Sequence, residues 1–203
     1  PTRYATEASQ YIELGLTARD KFKHEPTAHW TVSPHAPYTV SDSTFTRLAT
    51  LAEELDLPMV CHLHETESEV SDAISRDGER PFQRFQRLGL INERFMAVHG
   101  VHLSDEELSA MAKAGAALVH CPSSNLKLAS GLAPTAAALQ AGVNVVVGTD
   151  GAASNNRLDL WEEGRLASLL CKGASGDATA FPAGQLLMSM TCNAAKALGA
   201  DHL

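Results

Sequence analysis

The chain has 203 residues, of which 44% are hydrophobic and 20% charged, enough apolar side chain for one domain with a substantial core. Its formal net charge of -8 argues against a surface that gathers nucleic acid or anionic lipid, since both require a basic patch. No apolar run approaches the roughly 20 residues needed to span a bilayer, so a small-molecule partner is expected, with no nucleic acid and no membrane.

Taken in chain order, the pattern predicts a helix over residues 6–23, then a β-branched apolar strand over residues 29–33. Ser41-Asp42 caps a helix running to about Asp56, and strands follow over residues 58–64 and 95–101. Ser104-Asp105-Glu106-Glu107 opens a helix that stops near Gly115, ahead of a strand over residues 116–121. A helix over residues 134–141 is closed by Gly142, and the last strand covers residues 144–149. Helices over residues 155–172 and 184–198 complete the pattern, separated by a loop that includes residues 173–177. Short apolar strands alternating with longer helical segments are the signature of α/β folds, and their continuous apolar character suits parallel strands buried on both faces. Trp30 and Trp161 read as packing residues, Trp161 on a helix at core spacing.

The polar residues cluster at the strand ends, where parallel α/β folds keep their chemistry. His35 follows the first strand, His62 and Glu65 end the second, His99 the third, His120 the fourth and Asp150 the fifth. Alternation along residues 60–65 would point His62 and His64 to the same side and leave Glu65 at the strand end, free to turn inward. His62 can bind a metal and Glu65 can handle a proton, although an isolated HxH also reads as two hydrogen-bonded residues at a strand terminus. Thr149-Asp150-Gly151 likewise reads alone as a turn. In succession, however, these strand ends supply the ligands and base of a hydrolytic metal site. His64, His102 and His120 are read as structural histidines, while Asn125, Lys127, Ser154, Asn155 and Asn156 could contact substrate or cap helices.

The four cysteines, Cys61, Cys121, Cys171 and Cys192, form no CxxC pair and read as reduced thiols of a cytoplasmic protein. Both ends of the chain look cut, at Pro1 and at Asp201-His202-Leu203.

Five segments then carry a specific resemblance: Ser33-Pro34-His35-Ala36-Pro37-Tyr38, His62-Leu63-His64-Glu65-Thr66, His99-Gly100-Val101-His102-Leu103, residues 122–128 and residues 148–156. In order and spacing they resemble the amidohydrolase superfamily, most closely its S-adenosylhomocysteine and 5-methylthioadenosine deaminases. The resemblance covers nearly the whole chain. It implies an α/β fold that is part of a TIM (β/α)8 barrel of the metal-dependent hydrolase type, roughly its last five strands, with residues 1–203 forming the C-terminal part of the catalytic barrel. It further implies one divalent metal ion, zinc by default with iron or manganese equally suited to the donors.

Residue by residue, the resemblance makes His62 and Asp150 metal ligands and Glu65 the proton shuttle. His99 corresponds to a histidine that contacts the activated water or substrate, and His35 to a substrate-binding histidine near the sugar. The expected reaction is attack of water on C6 of adenine: Asp150 takes the water's proton, Glu65 protonates N1 and then the departing ammonia, and His99 orients the water and stabilises the tetrahedral centre. Glu65 and His99 would thus also contact substrate.

The family's HxH pair on its first barrel strand is expected upstream of Pro1, with three strands, a small β-sandwich, a ribose-selecting acid and a binding arginine. Arg3 and Arg19 are the nearest arginine candidates in this chain. An opened barrel leaves raw sheet edges, so a homo-oligomer is expected. Alternatives are the same chemistry on guanine, cytosine or a triazine, or a catalytically inactive remnant that serves as a binding module.

Overall fold

The computed structural model describes residues 4–200, so Arg3 and the extreme C-terminal residues lie outside the described residues. In chain order the elements are α1 (Ala8–Phe22), α2 (Asp42–Glu54), β1 (Met59–Leu63), α3 (Glu67–Asp77), α4 (Pro81–Arg87), β2 (Phe95–His99), α5 (Asp105–Ala114), β3 (Ala117–His120), α6 (Pro122–Lys127), α7 (Thr135–Ala141), β4 (Asn144–Val147), α8 (Ala152–Asn155), α9 (Leu160–Ser175), α10 (Ala183–Met190) and α11 (Cys192–Ala197). The strands form one parallel sheet in the order β1-β2-β3-β4. The α/β class expected from the alternation is therefore the class observed.

Register places the strand ends side by side. Leu63 pairs with His99, Val98 with Val119, and His120 with Val147, so the chain leaves all four strands at one sheet margin. All five residues of β2 are buried, as a strand covered on both faces requires. Beneath α2 and α4 the core is aromatic: Phe45 and Phe85 meet edge-on at 4.8 Å, and Phe85 meets Phe95 at 5.7 Å.

Helix starts follow the sequence signals. Ser41 caps α2 by accepting from Thr44 N–H, and Ser104 forms a full capping box with Glu107 on α5. Thr66 caps α3, and Asp159 caps α9 through the N–H groups of Trp161 and Glu162. Arg84 fastens the loop before α2, donating to Asp42 and to the carbonyls of Pro37 and Val40.

Several expectations change. The strand expected over residues 29–33 is reduced to one parallel bridge between Val32 and Met59, because Pro34 follows at once and has no N–H to extend a ladder. The sheet thus has four strands, with the fifth segment lying alongside β1 through Val32 N–H to Pro58 O at 2.9 Å and His62 N–H to His35 O at 3.2 Å. The helix expected over residues 184–198 is two helices, broken at Thr191, whose φ of -131° and ψ of -93° leave the helical region. Trp161 is 73% exposed. The buried stripe of α9 runs through Glu163, Ala167 and Cys171, and two residues of offset turn Trp161 about 200° away from it.

Candidate active site

The site is built by abrupt turns at the carboxyl ends of the strands. His64, His99 and Asp150 hold positive φ of 53°, 74° and 59°, a region that non-glycine residues seldom enter. At Gly100, with φ of 55°, an added Cβ would lie 2.4 Å from Leu118 Cδ1, so the turn after His99 requires glycine.

The turn at His64 reverses one expectation. His64 lies just past β1, where alternation no longer applies, and its ring points away from that of His62 into a buried structural network. There His64 Nε2 accepts from Phe82 N–H at 3.1 Å, and Nδ1 lies 3.4 Å from Glu107. Arg80 completes the network, binding Glu107 through two nitrogens and the His102 carbonyl at 2.7 Å. Burial works against the charge on Glu107, but His64, Arg80 and the Ser104 N–H outweigh it and bring its pKa down to about 2.

The remaining strand-end residues converge. His62 Nδ1 lies 2.7 Å from the His35 carbonyl, so Nδ1–H donates there and Nε2 keeps its lone pair. The His62 ring meets His35 edge-on at 5.1 Å and stacks on His99 at 5.3 Å. His99 Nε2 lies 3.7 Å from Glu65 Oε2, so Glu65 does turn inward. Ser130 donates to the other Glu65 oxygen at 3.5 Å. His35 itself is exposed, its Nδ1 3.0 Å from Thr39 Oγ1.

Asp150 is reached through α6. Its Oδ2 accepts from Ser124 at 2.6 Å and Ser154 at 2.7 Å, and its Oδ1 accepts from Gly151 N–H at 2.7 Å. Burial alone would raise its pKa, yet these three hydrogen bonds hold it below the ordinary carboxylate value. The neighbouring Asn125 accepts from His99 Nδ1 at 2.8 Å. A chain of contacts thus links Glu65, His99, Asn125, Ser124 and Asp150.

His120 and His102 take other positions. His120 is 3% exposed, and burial pushes its pKa down to about 4, so it is neutral near pH 7. His102 Nε2 bonds the Ser130 carbonyl at 3.0 Å.

Three side chains escaped the sequence reading. Buried Glu69 accepts from the N–H groups of His64 at 2.8 Å and Glu65 at 2.9 Å, holding the turn that delivers Glu65. Buried Glu163 accepts from Ser123 N–H at 3.1 Å and Asn155 Nδ2 at 2.8 Å, tying α9 to α6 and α8. Ser124 grips Asp150. The Glu four residues after Glu65, on the next helix, was a legible signal for the first; nothing local marked the other two. Lys127 and Asn156 bond one another, so Lys127 works within the fold.

Among the described residues no group of three His, Cys, Asp or Glu side chains is arranged to hold a metal ion. Two donors nevertheless suit one. A histidine whose Nδ1–H is pinned to a carbonyl, leaving Nε2 as acceptor, is how proteins orient a metal-binding imidazole, and an ionised carboxylate steadied by two hydroxyls is a fitting oxygen donor.

The chain is 44% identical over 200 residues to a 5-methylthioadenosine/S-adenosylhomocysteine deaminase from Teredinibacter turnerae, covering 98% of this chain and 45% of the relative. Among solved structures it resembles an adenosine deaminase from Xanthomonas campestris with bound zinc, at a TM-score of 0.96 and 44% identity over 99% of this chain and 46% of that one. An atrazine chlorohydrolase from Arthrobacter aurescens complexed with zinc and atraton matches at a TM-score of 0.88 and 26% identity, over 97% of this chain and 44% of that one. The chain therefore spans about half the length of the proteins it matches, and the expected partial barrel of the metal-dependent hydrolase type holds. The matching family covers residues 6–203, and the chain belongs to the amidohydrolase family.

Proposed function

We propose that this chain is the C-terminal part of the catalytic barrel of an enzyme that hydrolytically deaminates the adenine ring of S-adenosylhomocysteine or 5-methylthioadenosine, releasing ammonia. The observation that carries the reading is the contact of His62, His99 and Glu65 at one sheet margin, with Asp150 joined to them through Asn125 and Ser124. Identity of 44% to a deaminase of these nucleosides supports the substrate class.

His62 and Asp150 would hold one divalent metal ion, zinc being the ion in both solved relatives and iron or manganese being compatible with the same donors. When bound, the metal supplies Lewis acidity and brings the pKa of water toward 7. The other ligands belong to the rest of the protein. Asp150, held ionised by its hydroxyl partners, accepts a proton from the attacking water. Glu65 delivers a proton to N1 of the ring, takes the O–H proton of the tetrahedral centre and passes it to the departing amino group, and the proton held by Asp150 then returns to Glu65 to reset both carboxyls. His99 orients the water through its Nε2 side, and exposed His35 contacts the sugar. Oxygen enters at C6, nitrogen leaves as ammonia, and sugar and thioether are untouched.

The sheet edges left open by four strands would be paired by the rest of the barrel, and the assembled protein would form a homo-oligomer. Four free cysteines suit a cytoplasmic setting. Among the described residues no helix is long and apolar enough to cross a membrane.

Plasma mass spectrometry on the full-length protein tests the metal assignment: one metal per chain is expected, lost in His62→Ala. Ammonia release from S-adenosylhomocysteine tests the reaction, and a preference for guanine, cytosine or a triazine would replace the adenine assignment. Metal retained in the variant would overturn the role of His62; a full metal complement without turnover would favour an inactive binding module.

A further inference from the structure

The residues flanking His99 leave it little freedom except in the choice of which ring nitrogen carries the proton, and Asn125 governs that choice. Asn125 is 1% exposed, with its backbone held on both sides: its N–H bonds the Cys121 carbonyl at 3.0 Å and its carbonyl accepts from Ser130 N–H at 2.8 Å. Its Oδ1 lies 2.8 Å from His99 Nδ1. An amide oxygen can only accept, so Nδ1 must carry the hydrogen. In the neutral ring Nε2, 3.7 Å from Glu65, then presents a lone pair. One face of the His99 ring stacks on His62 at 5.3 Å, and its backbone is turned to φ of 74°.

We propose that Asn125 is a positioning residue that locks His99 in the Nδ1–H tautomer, so that Nε2 accepts a hydrogen bond from the O–H of the attacking water beside Glu65. The proposal rests on the deaminase reading for the use made of Nε2, whereas the tautomer itself does not depend on that reading. Asn125 and Ser124 are consecutive on α6, so this short helix grips two strand-end side chains at once, His99 through one residue and Asp150 through the other. Asn125 Nδ2 is buried without a protein partner among the described residues. A polar side chain left half unsatisfied in a buried wall costs stability, and it is retained here where its other half orients a reacting ring. Leu has the same branching without that cost but could not accept from Nδ1–H.

The test uses the full-length, metal-loaded protein with ¹⁵N-labelled histidine, in wild type, Asn125→Leu and Asn125→Asp. In wild type the His99 resonances should report a protonated Nδ1 and an unprotonated Nε2. Asn125→Leu should lose that preference and lower kcat roughly 10- to 100-fold, the range for losing a partner that orients a histidine at a metal site. KM and metal content should stay near wild type. Asn125→Asp, which still accepts from Nδ1–H, should keep the tautomer and recover most of kcat. A protonated Nε2 in wild type, the outcome if the amide is reversed and Nδ2 donates to Nδ1, overturns the proposal even if Asn125→Leu does not fold. Unchanged kcat in a folded Asn125→Leu overturns it too. Absence of any ammonia release from wild type would instead sink the deaminase reading, while the tautomer measurement would still decide the role of Asn125.

Discussion

Single residues at this site carry backbone conformations that their side chains do not favour. His99 at φ of 74° is an example: a left-handed turn costs a non-glycine residue on the order of 1 kcal/mol, and the structure retains it because the turn sends the imidazole toward Glu65 and His62. Comparing His99→Gly with His99→Ala isolates this strain, since both lack the ring and its hydrogen bond. The glycine variant should be more stable than the alanine variant by about 1 kcal/mol in urea unfolding; equal stability would mean the turn is unstrained. Asp150 pairs the same geometry with a stabilised charge. Removing the Ser124 hydroxyl in Ser124→Ala takes away one of its three hydrogen bonds, and a several-fold weaker metal affinity by competitive chelator titration is the expected outcome.

At the scale of elements, the Arg80–Glu107–His64 network joins the start of α4, the start of α5, the turn after β1 and the loop after β2. Glu107 is 6% exposed, and its folded pKa of about 2 lies below the ordinary 4.5. A carboxyl with a depressed folded pKa contributes stability that is fully present above its unfolded pKa and is lost as pH falls through its folded pKa. The window is therefore between about pH 4.5 and pH 2. Glu107→Gln should cost on the order of 3 kcal/mol at pH 7, with the gap to wild type narrowing through that window in urea unfolding. A gap independent of pH would show that packing, not charge, holds these elements together. At the same helix start, Ser104→Ala should cost about 1 kcal/mol through loss of the capping box.

The whole molecule has a well-filled centre and unfinished flanks. Helix α1 contributes no buried residue, and Tyr4 is 69% exposed, Leu14 53% and Phe22 47%. Beyond β4, Leu158 is 62% and Trp161 73% exposed. Apolar surface of this extent marks an interaction face, and the matched relatives are about twice as long. The chain produced alone should therefore self-associate, and light scattering should give a mass above its 21.6 kDa. Changing Trp161 to Glu should shift that population toward monomer; a monodisperse wild-type monomer would count against the open-flank account.

The sequence by itself determined the α/β class, four of the five expected strands and the starts of α1, α2, α5, α7 and α10, because apolar runs, Ser caps and closing glycines act within a few residues of where they stand, whereas the short helices α3, α4, α6, α8 and α11 were not expected as separate helices and α9 starts at Leu160 rather than near Asn155. Combined with the family resemblance, it also named His35, His62, Glu65, His99 and Asp150 as the candidate site. Tertiary structure alone decided how these side chains meet. Alternation suggested that His62 and His64 share a side, but the left-handed turn at His64 sends its ring to Glu107 and Arg80 instead. Glu69, Asn125 and Ser124 gain their roles from residues that lie 4 or more positions away in the chain, 26 in the case of Asn125 with His99 and Ser124 with Asp150. Such partnerships are created by the parallel register that brings strand ends to one margin, and no local pattern encodes them.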